Sequence, residues 1–177
     1  MAQIQYNYMD TGVQATTEGL KYAYGKGVAV VVMEPLKGGR LANPPKEALE
    51  LMKASGINRS PVDWAFQFLW NRLEVSTVLN GMGSRRMIDE NCASTDRSGI
   101  NTLGDSEQEV LSKVADIYRE KIRVSCTACN YCMPCPSSVN IPGNLALLNN
   151  LSTTSSRLRR LMVKRKYGSL KKIRWKD

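Results

Sequence analysis

The 177-residue sequence predicts an α/β fold organised around a parallel β-sheet. Three short β-prone segments alternate with helical segments in the order strand, helix, strand, helices, strand, helix, which is the order of βαβ units. The second β-prone segment, residues 28–33, is a continuous apolar run, which is typical of a parallel strand buried on both faces. Three strands are too few for a complete parallel sheet or barrel, so the sequence predicts only part of such a fold.

The first half of the chain supplies the first βαβ unit. Residues 3–8 alternate in polarity and predict a strand. Residues 16–24 predict a helix, because the sequence Gly25-Lys26-Gly27 behind them is typical of a helix end. Pro35 ends the second strand, and a glycine-containing loop follows it.

The later helices are marked by the residues at their ends. Residues 45–54 predict a helix with Gly56 behind it. Ser60 predicts the start of the next helix, because serine is a favoured N-cap and Pro61 and Asp63 suit a first turn. The apolar and aromatic content of residues 64–70 predicts that this helix is well covered.

A third strand and two more helices complete the pattern. Residues 75–79 predict the strand, and residues 85–93 predict a helix behind a glycine-rich turn. A Ser-x-x-Glu-like start after Asp105 predicts an amphipathic helix to about residue 122. We expect three units: residues 1–104 with the sheet, 105–150 with the last helix and a cysteine segment, and 151–177 as a basic tail.

The net charge of +9 is concentrated in the tail. Residues 157–177 hold ten of the 25 Lys and Arg residues and one of the 16 acidic residues, so the rest of the chain is neutral. The favoured interpretation is a solvated helix that packs on the cysteine segment. The second interpretation is a docking surface for an acidic electron-transfer partner. The third is a surface that binds nucleic acid or an anionic membrane. Aromatic residues are sparse in the tail, so no nucleic acid is expected.

The longest apolar run is too short to span a membrane. The N-terminal residues do not resemble a signal peptide, so we expect a cytoplasmic protein. In that compartment cysteines are metal ligands or free thiols more often than disulfides.

Four of the five cysteines form one constellation: Cys126, Cys129, Cys132 and Cys135, with Pro136 behind the last. Structural zinc sites usually combine two distant pairs of ligands, whereas thiols at two-residue gaps on one loop favour a [4Fe–4S] cluster. The last gap is one residue shorter than in bacterial ferredoxins, so Cys135 either closes this cluster or serves a partner. Zinc, disulfides and free thiols remain alternatives. Lone Cys92 predicts a small buried residue.

Several segments together resemble the iron–sulfur-containing branch of the aldo/keto reductases. They are GVAVVVMEPLKGGRLA, SPVDWAFQFLWNRLEVSTVLNGMGS, IDEN and CTACNYCMPCPSSVNIP. The resemblance covers roughly residues 1–150 and implies the last three βα units of a (β/α)8 TIM barrel, followed by a helical iron–sulfur segment. It also implies an oxidoreductase that uses NADP or NAD.

The resemblance assigns cofactor contacts to three regions of this chain. Gln3 would contact the nicotinamide, and the loop after the second strand would run along the pyrophosphate. The turn after the third strand, with two residues of the helix behind it, would hold the adenosine. The complete set is Gln3, Glu34, Pro35, Leu36, Gly38, Gly81, Met82, Gly83, Ser84, Glu90 and Asn91.

The sequence also departs from the family. Met33 stands where many members have a tyrosine, and Gly81 and Met82 replace a Lys-Ser pair that favours NADP; Arg85 or Arg86 would compensate. The family's catalytic Asp, Tyr, Lys and His lie on earlier strands, and this sequence contains no His. We therefore expect no catalytic residue here and a requirement for the remaining barrel segment or a second subunit.

Three functions follow from these observations. The first is the C-terminal part of an NAD(P)H-dependent oxidoreductase whose cluster carries electrons or braces the structure. The second is a non-enzymatic iron–sulfur electron-transfer or interaction module, and the third is a zinc-stabilised binding domain.

Overall fold

The fold comes from a computed structural model that describes residues 1–124, 126, 130–153, 161 and 165. Three strands and six helices follow one another in these residues. They are β1 (Ala2–Gln5), α1 (Thr16–Gly25), β2 (Val30–Met33), α2 (Lys46–Ala54), α3 (Pro61–Trp70), β3 (Thr77–Val78), α4 (Arg85–Thr95), α5 (Asp105–Lys121) and α6 (Ile141–Thr153).

The three strands form one parallel sheet in the order β1-β2-β3. Val31 is paired with Gln3 on one side and with Thr77 on the other. The predicted α/β alternation and the parallel sheet are therefore confirmed. All three strands are shorter than predicted. The first ends early because the Asn7 side chain accepts hydrogen bonds from the backbone N–H groups of Met9 and Asp10, which turns the chain.

Helices α1 and α3 cover one face of the sheet. Val30 and Val32 of β2 are fully buried there against Leu20 of α1 and Leu69 of α3. The opposite face carries Val31, which is half-buried, and Met33, which is 38% exposed. The prediction of a second strand buried on both faces is therefore wrong, because the described helices pack on one face only.

A second hydrophobic core joins α2, α3 and α5. Its fully buried members include Leu41, Ala48, Trp64 and Val114. Tyr118 of α5 closes this core and donates a hydrogen bond of 2.9 Å to the backbone oxygen of Arg40. α5 is thereby fixed against the loop between β2 and α2.

The predicted starts of two helices are confirmed in detail. The Ser60 hydroxyl accepts from the backbone N–H of Asp63, and the Ser84 hydroxyl accepts from that of Met87. α5 begins two residues earlier than its prediction, because Gly104 rather than Ser106 is the N-cap and Glu107 accepts from its backbone N–H at 2.8 Å.

The cysteine on α4 differs from its prediction. Cys92 is exposed, because α4 buries Ser94 against α3 and leaves most of its other side chains in solvent.

The C-terminal part of the chain adds a helix that the sequence did not predict. α6 crosses the expected boundary at residue 150, so the division into units stays a prediction. Most of the basic tail lies outside the described residues, as does its predicted helix. No helix in the described part of the chain is long and apolar enough to cross a membrane.

Candidate functional site

A cleft of about 550 Å³ lies beyond the carboxyl ends of β2 and β3. Because these strands are parallel, the loops that follow them meet at one edge of the sheet. Loop residues 34–43 form one wall, and the turn after β3 with one side of α4 forms the other. Of the predicted cofactor contacts, the residues that line it are Glu34, Pro35, Leu36, Gly38, Gly81, Glu90 and Asn91.

The other predicted contacts do not line this cleft. Met82, Gly83 and Ser84 belong to the turn that leads into α4. Gln3 lies on the open face of the sheet, with its Nε2 atom 3.4 Å from the sulfur of Met33. The structure therefore gathers the contacts assigned to the pyrophosphate and part of those assigned to the adenosine, and leaves the nicotinamide contact apart from them.

The loop after β2 is a tight turn. Glu34 and Lys37 adopt positive φ angles, and the Lys37 N–H donates to the backbone oxygen of Glu34 at 3.0 Å. The carboxylate of Glu34 accepts from the backbone N–H of Gly38 at 2.5 Å. The Glu34 carboxylate thus already accepts from the N–H group of the loop that the family resemblance places along the pyrophosphate, and an incoming phosphate would have to displace it.

A buried polar cluster supports this loop, and sequence reasoning missed it. The Asn7 side chain donates to the backbone oxygen of Glu34 at 3.0 Å and to the Asp10 carboxylate at 3.1 Å. Lys37 forms an ion pair with the same carboxylate, which is almost fully buried. The loop that follows β1 is thereby tied to the loop that follows β2. No local pattern indicates this pairing, since Asp10 and Lys37 are far apart in sequence.

Opposing effects set the pKa of Asp10. Burial favours the neutral acid, but the hydrogen bond and the charge of Lys37, with hydrogen bonds from Gln5 and Asn7, outweigh it. The pKa of Asp10 therefore lies below its ordinary value of 3.8, and the carboxylate is ionised at neutral pH.

The two arginines at the start of α4 differ in position. Arg86 lines the cleft, with its Nε atom 3.1 Å from the Glu90 carboxylate, while Arg85 is paired with Asp89 outside the lining. Both arginine side chains are more than four-fifths exposed. Arg86 is therefore the cation that an anionic ligand of this cleft would meet.

Glycine at the turn after β3 is not required by packing. A Cβ atom added to Gly81 or Gly83 would meet no atom of the described residues within 4 Å. At Gly38, in contrast, glycine is favoured by the backbone conformation, because a φ of +62° is unfavourable for residues with a side chain. Open space at Gly81 suits a turn that a ligand approaches closely.

The cysteine segment is described in part. Cys126 and Cys132 are exposed, Cys135 is half-buried, and Cys129 lies outside the described residues. The described cysteines are free thiols, which is the donor chemistry that an iron–sulfur cluster requires. Within the described residues no three potential ligands lie close enough to hold a metal ion. The assignment of these cysteines to one cluster therefore stays a prediction.

Helix α6 is attached to the chain immediately before this segment. The Asn149 side chain accepts from the backbone N–H groups of Arg123 and Val124 and donates to the Val124 oxygen. Asn149 is itself buried. Asn149 thus fixes α6 to the backbone at Arg123 and Val124, a short distance after the end of α5.

Comparisons with known proteins found similar solved structures, but none of them assigns this chain to a family. The chain is similar to the aldo-keto reductase AKR11C1 from Bacillus halodurans in its holo form, with a TM-score of 0.49 and 22% sequence identity over 63% of this chain and 41% of that chain. The apo form of the same protein gives the same values over 42% of its length. The chain therefore spans less than half of these solved structures. No family model and no curated protein matches it.

Proposed function

We propose that this chain is the C-terminal part of an aldo/keto-reductase-like, NAD(P)H-dependent oxidoreductase that carries a [4Fe–4S] cluster. The observation that carries the proposal is the cleft at the carboxyl edge of the sheet. Residues assigned separately from two stretches of sequence, around Glu34 and around Glu90, line one cavity there. In α/β folds this edge is where cofactors bind.

The residues of the cleft suit a dinucleotide. The glycine-rich turns at Gly38 and Gly81 allow close approach of a ligand to the backbone. The α4 helix begins beside the cleft, so its N-terminal end favours an anionic group, and Arg86 adds a positive side chain. When the dinucleotide binds, the Glu34 carboxylate would lose its hydrogen bond from the Gly38 N–H.

This chain would supply binding rather than proton transfer. When bound, NAD(P)H supplies a hydride for a carbonyl, and the alkoxide that develops requires a positioned proton donor. None of the described residues that line the cleft is a tyrosine, a lysine or a histidine. Catalysis would therefore depend on the remaining barrel segment or on a second subunit.

The four cysteines would hold the cluster, with Cys135 as the fourth ligand. Thiolate sulfur is the usual ligand of the iron in such clusters, and a bound cluster supplies one-electron redox chemistry or a structural brace. Anaerobic purification followed by iron and sulfide analysis and a visible absorption scan tests this part. Zinc in place of iron, or a colourless protein without metal, would contradict it.

Titration with NADP⁺ and NAD⁺ by isothermal calorimetry tests the cleft. We expect Arg86→Ala to weaken NADP⁺ binding by roughly fivefold or more, in line with about 1 kcal/mol for the net contribution of a hydrogen bond. Arg85→Ala is the matched control, since Arg85 neighbours it, forms the same kind of i,i+4 pair and lies outside the cleft. Equal effects of the two variants, or no binding by the unmodified chain, would refute the assignment.

A non-enzymatic electron-transfer module is the second candidate. The exposure of Cys126 and Cys132 favours it, because a cluster held there would lie near the surface and within reach of a redox partner. A chain that holds a cluster and exchanges electrons with an acidic carrier, but binds neither nucleotide, would support this alternative over the first.

A further inference from the structure

A second cavity lies between α3, α5 and the loop that follows β1. Its volume is about 210 Å³. Tyr8 contributes to it from the loop, Phe68 from α3, Arg72 from the connection behind α3, and Leu111 and Ala115 from α5. No described residue lines both this cavity and the cleft at the carboxyl edge of the sheet. The second cavity is therefore a separate site.

The guanidinium of Arg72 is held in this cavity by aromatic rings. Its Cζ atom lies 4.6 Å from the centre of the Phe68 ring and 5.3 Å from that of Tyr6. Contacts of this kind occupy the flat face of a guanidinium and leave the N–H groups at its edge available. The Nε atom of Arg72 is buried and has no hydrogen-bond partner among the described residues.

Arg72 also lacks an acidic partner within the described part of the chain. Arg59 shows how a similar arrangement is completed elsewhere in this fold. Its guanidinium lies 5.3 Å from the centre of the Trp64 ring, and its Nη1 atom lies 2.6 Å from the carboxylate of Glu107. A buried N–H of a charged group without an acceptor costs free energy. A carboxylate is therefore the group that Arg72 is missing.

The walls of the cavity are apolar and fixed in place. Leu103, Leu111 and Ala115 line it and are each buried. The backbone N–H of Leu103 donates to Oδ1 of Asn71 at 2.8 Å, and its backbone oxygen accepts from Nε2 of Gln108 at 3.1 Å. The volume lies below the roughly 300 Å³ at which pockets for drug-sized ligands begin. The cavity therefore fits a small ligand with an apolar body.

We propose that this cavity binds a small monocarboxylate. The carboxylate pairs with the guanidinium edge of Arg72, and the apolar body packs against Phe68 and Leu111. An arginine whose orientation is fixed matches the planar carboxylate with two parallel hydrogen bonds. The proposal does not depend on the proposed oxidoreductase function, because the two sites share no described residue.

Isothermal calorimetry with sodium benzoate on the full-length chain tests the site. Benzoate combines a carboxylate with a flat apolar ring, and benzamide has the same shape without the charge. We expect saturable binding of benzoate with a Kd of about 1 mM or lower, and benzamide should bind roughly tenfold more weakly or not at all.

Two variants address the residues of the cavity. Arg72→Met keeps a long unbranched side chain but removes the charge and the N–H groups, so benzoate should bind roughly tenfold more weakly or worse. Ser112→Trp places a large ring in the cavity from an exposed position on α5, and it should weaken benzoate binding to a similar extent. Circular dichroism and urea midpoints would show which variants retain the fold.

Lys26→Met is the matched control. It removes the same charge and a similar contact, since the Nζ atom of Lys26 lies 5.6 Å from the centre of the Tyr22 ring, but neither residue lines the cavity. This variant should bind benzoate like the wild type.

The outcomes decide the proposal. A wild-type chain that binds no benzoate overturns it, as does equal affinity for benzoate and benzamide, or a folded Arg72→Met with wild-type affinity. If Arg72→Met does not fold, a folded Ser112→Trp that binds benzoate like the wild type overturns it equally. A Lys26→Met variant that loses binding as strongly as Arg72→Met would show that net charge, rather than this cavity, determines the affinity.

Discussion

At the scale of single residues, the Asp63 carboxylate is the most connected side chain between α3 and α4. It accepts from the side chains of Gln67 and Arg97, at 3.1 Å each, and from the hydroxyl of Ser94. Its side chain is almost fully buried. These contacts fasten α4, one wall of the cleft, to the helix behind the sheet.

Replacing Asp63 with alanine should therefore destabilise the fold. Gln67 and Ser94 would lose a buried acceptor, and we expect a loss of about 2–3 kcal/mol in the free energy of unfolding. The N-cap of α3 would survive, because Ser60 accepts from the backbone N–H of residue 63. Urea denaturation followed by circular dichroism measures the change.

Glu50→Ala is the control for this variant. Glu50 pairs with Lys46 on α2 at 3.4 Å, but both side chains are more than 60% exposed, so its loss should cost less than about 1 kcal/mol. Similar losses for the two variants would show that the network around Asp63 contributes little.

Asp10 gives a prediction about pH. Its pKa is lowered in the folded chain, so its carboxylate contributes stability above the ordinary pKa of 3.8, and this contribution disappears as the pH falls through the folded value. The difference in unfolding free energy between the wild type and Asp10→Asn should shrink as the pH is lowered from neutral to below 3.8. Urea midpoints across that range measure it.

Glu109 is the matched control for Asp10. A hydrogen bond and the charge of Lys113 lower the pKa of Glu109, but this side chain is 64% exposed and solvent screens the pair. Glu109→Gln should therefore change the pH dependence much less than Asp10→Asn. A difference from the wild type that stays constant with pH would contradict the assignment for Asp10.

At the scale of elements, substitutions at two serine N-caps distinguish effects on stability from effects on cofactor binding. Ser60 caps α3 and Ser84 caps α4, each through one hydrogen bond to a backbone N–H group. Changing either to alanine should cost about 1 kcal/mol of stability. Ser84→Ala should weaken NADP⁺ binding more than Ser60→Ala, because Arg86 and Met87 in the first turn of α4 line the proposed cofactor cleft, whereas the first turn of α3 contributes Val62. Calorimetry and thermal denaturation on both variants test this, and equal binding losses would argue against the cleft.

These caps also explain which elements the sequence could predict. Ser60 and the glycines at the end of α1 act within a few residues of their helices, so the local sequence pattern predicted these helix ends. The sequence did not predict α6, because Gly143 and two adjacent asparagines are poor helix formers and because the helix is attached through the long-range contacts of Asn149. The end of β1 was predicted too late because hydrogen bonds to the side chain of Asn7 turn the chain there.

The candidate site likewise contains features that the sequence could predict and features that it could not. Loop residues that directly follow a strand could be placed at one edge of the sheet from the βα order alone, and Glu34 and Gly81 do line one cleft. The cluster of Asn7, Asp10 and Lys37 depends on packing between two loops, which no local pattern encodes. Which of Arg85 and Arg86 faces the cleft depends on the rotation of α4, which the sequence leaves open.

At the scale of the whole molecule, the described sheet is open on one face and at both edges. Parallel sheets are usually covered on both faces, and an uncovered edge strand can pair with another chain. Met33 places an apolar side chain on the open face at 38% exposure, and Leu79, which follows β3 on the same side and also lines the cleft, is 47% exposed. Under the function proposed above, this surface is the one that the remaining barrel segment or a second subunit would cover.

The isolated chain should therefore associate through this face. We expect sedimentation velocity to show concentration-dependent association, and we expect Met33→Lys combined with Leu79→Lys to weaken it at least tenfold without lowering the urea midpoint, since both side chains are already exposed. Leu73→Lys is the control, because Leu73 is 52% exposed but lies in the connection between α3 and β3, outside the open face. A wild-type chain that sediments as a monomer at every concentration would contradict the prediction, as would a control that dissociates the assembly as strongly as the double variant.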